Sequence, residues 1–74
     1  MDIADPEKHV KKAIERAAKG EYDEAIDVLH EVTRQRPDFL QAWTAKAVLY
    51  RLMGEDKMAL LCSRTARSLK DKRE

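Results

Sequence analysis

With 74 residues, 39% of them charged and only 5% aromatic, the chain can hold one small domain. At that size folding covers about 60% of the surface that the unfolded chain exposes, so each packed face counts heavily. Two Gly and two Pro leave little material for turns, which excludes sandwiches and barrels and predicts an all-α chain.

Asp5-Pro6-Glu7 opens the first helix. The Asp carboxylate can accept from the free amides of the first turn, Pro loses nothing there, and Glu complements the helix dipole. Val10, Ala13, Ile14, Ala17 and Ala18 then recur at spacings of three and four and predict one apolar stripe. Glu7 with Lys11, and Glu15 with Lys19, are favourable pairs one turn apart on the wet side. Gly20 supplies the left-handed residue that ends the helix.

The second helix is predicted over Tyr22–Gln35, with Tyr22, Ala25, Ile26, Leu29 and Val32 buried and Asp23, Glu24, Asp27 and Glu31 on an acidic outer side. Pro37 disfavours a helical Arg36 and stops it. Asp38, with Gln41 three residues on, predicts a capping box for a third helix over Phe39–Met53. That helix carries Ala42, Trp43, Ala45, Ala47, Val48, Leu49, Tyr50, Leu52 and Met53 around most of its circumference, the mark of a helix packed on more than one side. Gly54 ends it, and a fourth helix is predicted over Asp56–Leu69, followed by a charged tail over 71–74. Short connections make consecutive helices antiparallel. The expected architecture is two stacked helical hairpins.

The two hairpins repeat each other. Gly20, Glu21 and Ala25 fall on Gly54, Glu55 and Ala59, and Ala13 and Val32 fall on Ala47 and Ala66, always 34 residues apart. That period is the length of the tetratricopeptide repeat. Trp43, Ala47, Tyr50, Gly54, Ala59 and Ala66 match its pattern, and GEYDEAI with Leu29 and Pro37 is similar to its turn sequence. The chain resembles two tandem tetratricopeptide repeats, one over about 6–37 and one over about 38–70. Lys46 stands where the family carries Leu, and Ser63 where it carries a bulky residue. His9, Lys12 and Arg16 stand where the family carries large apolar or aromatic residues, so the first helix is expected to be rotated or to act as a polar cap.

The resemblance implies an α-solenoid fragment whose job is protein–protein interaction. Its concave, mostly apolar groove would take a partner's peptide or helix along Val10, Ile14, Ala17, Gln41, Thr44, Val48, Arg51 and Leu52. One subgroup of the family clamps a C-terminal carboxylate with polar groove residues. Val10, Ile14 and Ala45 stand at the first of those positions, so that activity is not expected.

The fourth helix suggests two alternatives. Met58, Leu61, Cys62 and Leu69 exceed what the third helix can cover, and predict an exposed face through which a self-assembling unit could dimerise. The net charge of +1 is also uneven: Met1–Asp56 has 9 basic and 12 acidic residues, and Lys57–Glu74 has 6 and 2. Arg64, Arg67 and Lys70 therefore form a possible patch for RNA or an acidic partner, although no aromatic residues interleave for base stacking.

Other classes have little support. His9 and His30 lie on different helices without a nucleophile at telling spacing, and no Gly-rich phosphate loop is present. Cys62 is the only cysteine and lacks a metal-ligand spacing, so no catalysis, metal or cofactor is expected. MDIADPEKHV has no apolar core of a signal peptide and MALLC is too short to span a bilayer, which points to a cytoplasmic protein.

Overall fold

A computed structural model describes residues 4–73; Met1–Ile3, which open the segment MDIADPEKHV, and Glu74, which ends the charged tail, lie outside the described residues. The described residues form four helices, α1 (Pro6–Ala18), α2 (Tyr22–Gln35), α3 (Leu40–Leu52) and α4 (Asp56–Arg73). The fold is all-α, as expected. α1 packs on α2 and α3 on α4 as helical hairpins, and the hairpins join through α3, which also touches α2 and α1. α4 touches α3 alone.

The start of α1 follows the sequence rule: Asp5 Oδ1 accepts from the Lys8 amide at 3.2 Å, with Pro6 just inside. The two glycine turns are built alike. Gly20, at φ +84°, donates to Ala17 O at 2.9 Å while Glu21 N donates to Arg16 O at 3.0 Å. Gly54, at φ +81°, donates to Arg51 O at 3.1 Å while Glu55 N donates to Tyr50 O at 2.8 Å. Both are Schellman closures, in which a left-handed residue turns the chain while two carbonyls of the last turn are satisfied. The sequence repeat is thus a repeat of backbone hydrogen bonding.

Two boundaries differ from expectation. Asp38 does not cap α3. Phe39 holds that position without a side-chain cap, because its amide turns back to Arg36 O at 3.0 Å and starts the helix one residue later. Pro37 fixes the chain direction into this turn. The predicted tail is also helical through Arg73. Lys70-Asp71-Lys72 contains no helix breaker, and cations suit a helix C-terminus, so nothing local stops α4 at Leu69.

The core is narrow. Leu29 and Val32 are its largest fully buried side chains on the α2 side, packed with Val10, Ala13, Ala25, Ala42 and Leu49. Burying a Leu or Val contributes about 1.5–3 kcal/mol, so these two carry much of a small total. Tyr22 and Ile26 of the expected α2 stripe pack at its edge, half-buried. Thr33, not anticipated, is buried and donates to His30 O at 3.0 Å, which satisfies its hydroxyl within the helix. Between α3 and α4 the buried residues are small, Ala47, Ala59 and Cys62, and let the helices approach closely. The outward side of α1 carries Lys8, Lys12, Glu15 and Lys19, all exposed, and offers nothing apolar to a further helix.

Lys46 is the exception in this core, with only 4% of its surface exposed. Its ammonium donates to Thr33 Oγ1 at 3.4 Å and sits 4.6 Å from the centroid of the Trp43 ring. Trp43 in turn donates from Nε1 to Pro37 O at 2.9 Å, so this cluster joins α2, the α2–α3 turn and α3. Burial pushes Lys46 below its ordinary 10.5, and the same burial pushes the Cys62 thiol above 9.0 and the Tyr50 hydroxyl above 10.0.

Two predictions follow from these local structures. The space around a Cβ at Gly20 or Gly54 is empty, so Gly20→Ala and Gly54→Ala meet backbone strain alone. Each should cost about 1–2 kcal/mol in urea denaturation, and Asn should recover part of it. Lys46→Leu should stabilise the fold at pH 7 by roughly 1 kcal/mol by removing a poorly solvated charge. In the wild type that charge is lost from the folded state first, as pH rises through the lowered Lys46 pKa toward 10.5. The unfolded state then binds more protons than the folded one, and stability contributed by this site rises with pH. The advantage of Lys46→Leu should therefore shrink between pH 7 and pH 10, in paired denaturation curves that hold Cys62 and Tyr50 constant.

Candidate functional site

An open cleft of about 700 Å³ lies between α1 and α3. α1 presents Val10, Ile14, Ala17 and Ala18 to it, and α3 presents Leu40, Gln41, Thr44, Ala45, Val48, Leu49 and Leu52. Tyr22, at the start of α2, closes one end. The spacing on α3 explains the wall. Gln41, Thr44, Val48 and Leu52 advance by three or four residues along one side of the helix. Ala42 lies in the core and not in the wall, while Leu49, which the cleft reaches, is buried in the same cluster.

Seven of the eight groove residues read from the sequence line this cleft: Val10, Ile14, Ala17, Gln41, Thr44, Val48 and Leu52. Arg51 does not. It lies one helical step further round α3, in a furrow of about 230 Å³ shared with Ala47, Ser63 and Ala66. Thr44 and Val48 border both hollows and form the ridge between them. Tyr22 and Leu40 were not read from the sequence as lining residues; both lie at helix starts, where the periodic stripe gives no signal. Within the apolar stripe of α1, Val10 and Ala13 are buried, and Ile14 and Ala18 are exposed along the cleft.

Large apolar side chains in the cleft remain open to solvent. Ile14 is 54% exposed, Val48 53% and Leu52 61%. Water beside such surface is released when an apolar partner covers it, at about 25 cal/mol per Å². Polar groups are few. Thr44 spends its hydroxyl on Leu40 O at 3.1 Å, within its own helix, which leaves Gln41 as the polar side chain of the α3 wall without such a bond. At the open end the cleft runs into a shallower hollow lined by Asp5, Glu7, Lys8 and Lys11, where both signs of charge meet.

The face expected on α4 is rearranged. Met58 and Leu61 are exposed as expected, but Leu69 is half-buried and Cys62 is only 2% exposed. Cys62 follows Ala59 by three residues and precedes Ala66 by four, which puts it on the stripe facing α3. A thiol so placed cannot form part of a docking face. Leu60 takes its place, exposed beside Leu61. Arg64, Arg67 and Lys70 are all exposed.

The remaining chemistry-bearing residues are scattered. The His9 ring lies 2.9 Å from Asp5 O through Nδ1, and His30 stands exposed on α2. Arg34 donates from Nε to Glu31 Oε1 at 3.1 Å and Gln35 donates to Glu31 Oε2 at 2.6 Å. Those bonds, Arg34 foremost, hold the Glu31 carboxyl down at about 2. Among the described residues no group of three His, Cys, Asp or Glu side chains could hold a metal ion, and no helix is long and apolar enough to cross a membrane.

Comparison of the chain with protein-family models, with curated proteins and with solved structures returns no match.

Proposed function

We propose that the chain is a recognition module of two tetratricopeptide-like repeats that takes an apolar peptide or helix from a protein partner into the α1–α3 cleft, without catalysis. The observation that carries this reading is the row of Ile14, Val48 and Leu52, each more than half exposed along one hollow. A soluble chain that leaves three large aliphatic side chains together on a concave wall has a surface suited to apolar contact. The 34-residue repetition of the glycine turns supports the family reading, and helix-in-groove recognition uses anchors at the three- and four-residue spacing that α3 itself displays. The single buried cysteine fits a reducing, cytoplasmic setting.

Panning a displayed library of random peptides on the folded protein tests the reading. Selected peptides should be apolar and should shift the methyl resonances of Ile14, Val48 and Leu52. Val48→Asp with Leu52→Asp should weaken them by at least about 2 kcal/mol while leaving the circular dichroism of the fold intact, since both side chains are already exposed. Binding that survives in this folded double variant would show that the cleft is not the site.

A further inference from the structure

We propose that the outward face of α4 is a second docking surface, and that it takes an acidic amphipathic protein segment and not another copy of this chain. The face is independent of the cleft. α4 is held by α3 alone, with Ala59, Cys62 and Ala66 on the contact side. At 100° per residue the opposite side presents Lys57, Leu60, Leu61, Arg64 and Arg67. Leu60 is 53% exposed and Leu61 54%, and all three cations are exposed beside them. Among the described residues no carboxylate forms an ion pair with those cations, Asp71 one turn after Arg67 included. The ion pairs Arg16–Glu21 and Arg34–Glu31 both lie far from α4 in the chain. With 6 basic against 2 acidic residues, Lys57–Glu74 carries a net charge of +4.

A second copy covers this surface badly. An antiparallel α4 pair that lays Leu60 of each copy on Leu61 of the other also lays Lys57 on Arg64, at both ends of the contact. The register that instead matches Lys57 with Asp71 and Asp56 with Lys72 sets Leu60 against Ser68, so the leucines never meet. Apolar contact and charge demand different registers, and neither is satisfied. The acidic side of α2 on another copy offers Asp23, Glu24 and Asp27, yet none of the exposed large apolar residues lies on α2. A bilayer is disfavoured because Lys57 and Arg64 lie between and beside the two leucines, where an inserting helix needs a continuous apolar face. Nucleic acid would leave the leucines without a partner. A segment with two large apolar residues one turn apart, flanked by Asp or Glu, satisfies both the leucines and the cations.

The test uses three labelled peptides of about 15 residues, each with the same leucine stripe and with Glu, Gln or Lys at the remaining positions. Anisotropy should show the Glu peptide binding at least about tenfold more tightly than the Gln peptide, with the advantage falling as salt rises from about 50 to about 200 mM. Arg64→Glu with Arg67→Glu should invert the preference toward the Lys peptide. Arg64→Gln with Arg67→Gln should abolish the preference in a variant that adds no acidic charge to the helix. Val48→Asp with Leu52→Asp, which removes the cleft, should leave Glu-peptide binding unchanged and so separates the two surfaces. The proposal is overturned if the three peptides bind alike or not at all, or if the cleft variant loses the Glu peptide. It is equally overturned if light scattering finds a dimer that Leu60→Glu dissolves, or if anionic vesicles compete the Glu peptide away.

Discussion

The position of α3 governs the rest of the molecule. It is the one helix that meets all three others, and it must therefore be apolar around most of its surface while leaving room for close neighbours. Ala42 and Leu49 answer α1 and α2, and Ala47 answers α4. Small residues on the partner helices, Ala13, Ala25 and Ala59, complete the fit. A core this thin gains little from each side chain, so stability depends on shape agreement more than on apolar bulk. The same demand explains the cleft. Once three sides of α3 are taken, its fourth side, with Val48 and Leu52, stands open beside Ile14 of α1.

Much of this was legible in the sequence because punctuation and periodicity are local. Pro6, Gly20, Pro37 and Gly54 mark boundaries through backbone geometry that needs no tertiary contact, and the structure honours all of them. The cleft residues were legible for a related reason, since a helical face is a matter of spacing. Arg51 escaped because one step of 100° moves a side chain from one hollow to the next, finer than a stripe of mixed residues can resolve. Asp38 misled because a cap needs the chain to enter the helix at one particular residue, and the turn after Pro37 delays that entry. The end of α4 was missed because no residue there forbids helix, and an absent stop signal is hard to see.

Lys46 shows where local reading fails for a deeper reason. It lies in the tight space around α3, and a lysine does not announce burial. Lys46 is accommodated by a hydroxyl and an aromatic face that come from separate parts of the chain, an arrangement visible only after folding. Its charge is only partly compensated, since a hydrogen bond to Thr33 and the Trp43 face replace full hydration. The gain is geometric: the Thr33–Lys46–Trp43–Pro37 series ties the first hairpin to the second where the chain crosses between them.

The polar outer side of α1 has a consequence for how the array could be lengthened. Lys8, Lys12, Glu15 and Lys19 face solvent there, while at the other end Ala47, Ser63 and Ala66 border an open furrow. The molecule is directional, sealed on one flank and receptive on the other. A hairpin grafted after α4 would find a shallow seat in which Ala47, Ser63 and Ala66 leave room beside Arg51. One grafted before α1 would meet only charge. Extension by design would thus proceed in one direction, with α1 serving as a ready-made terminus for any array built upon it.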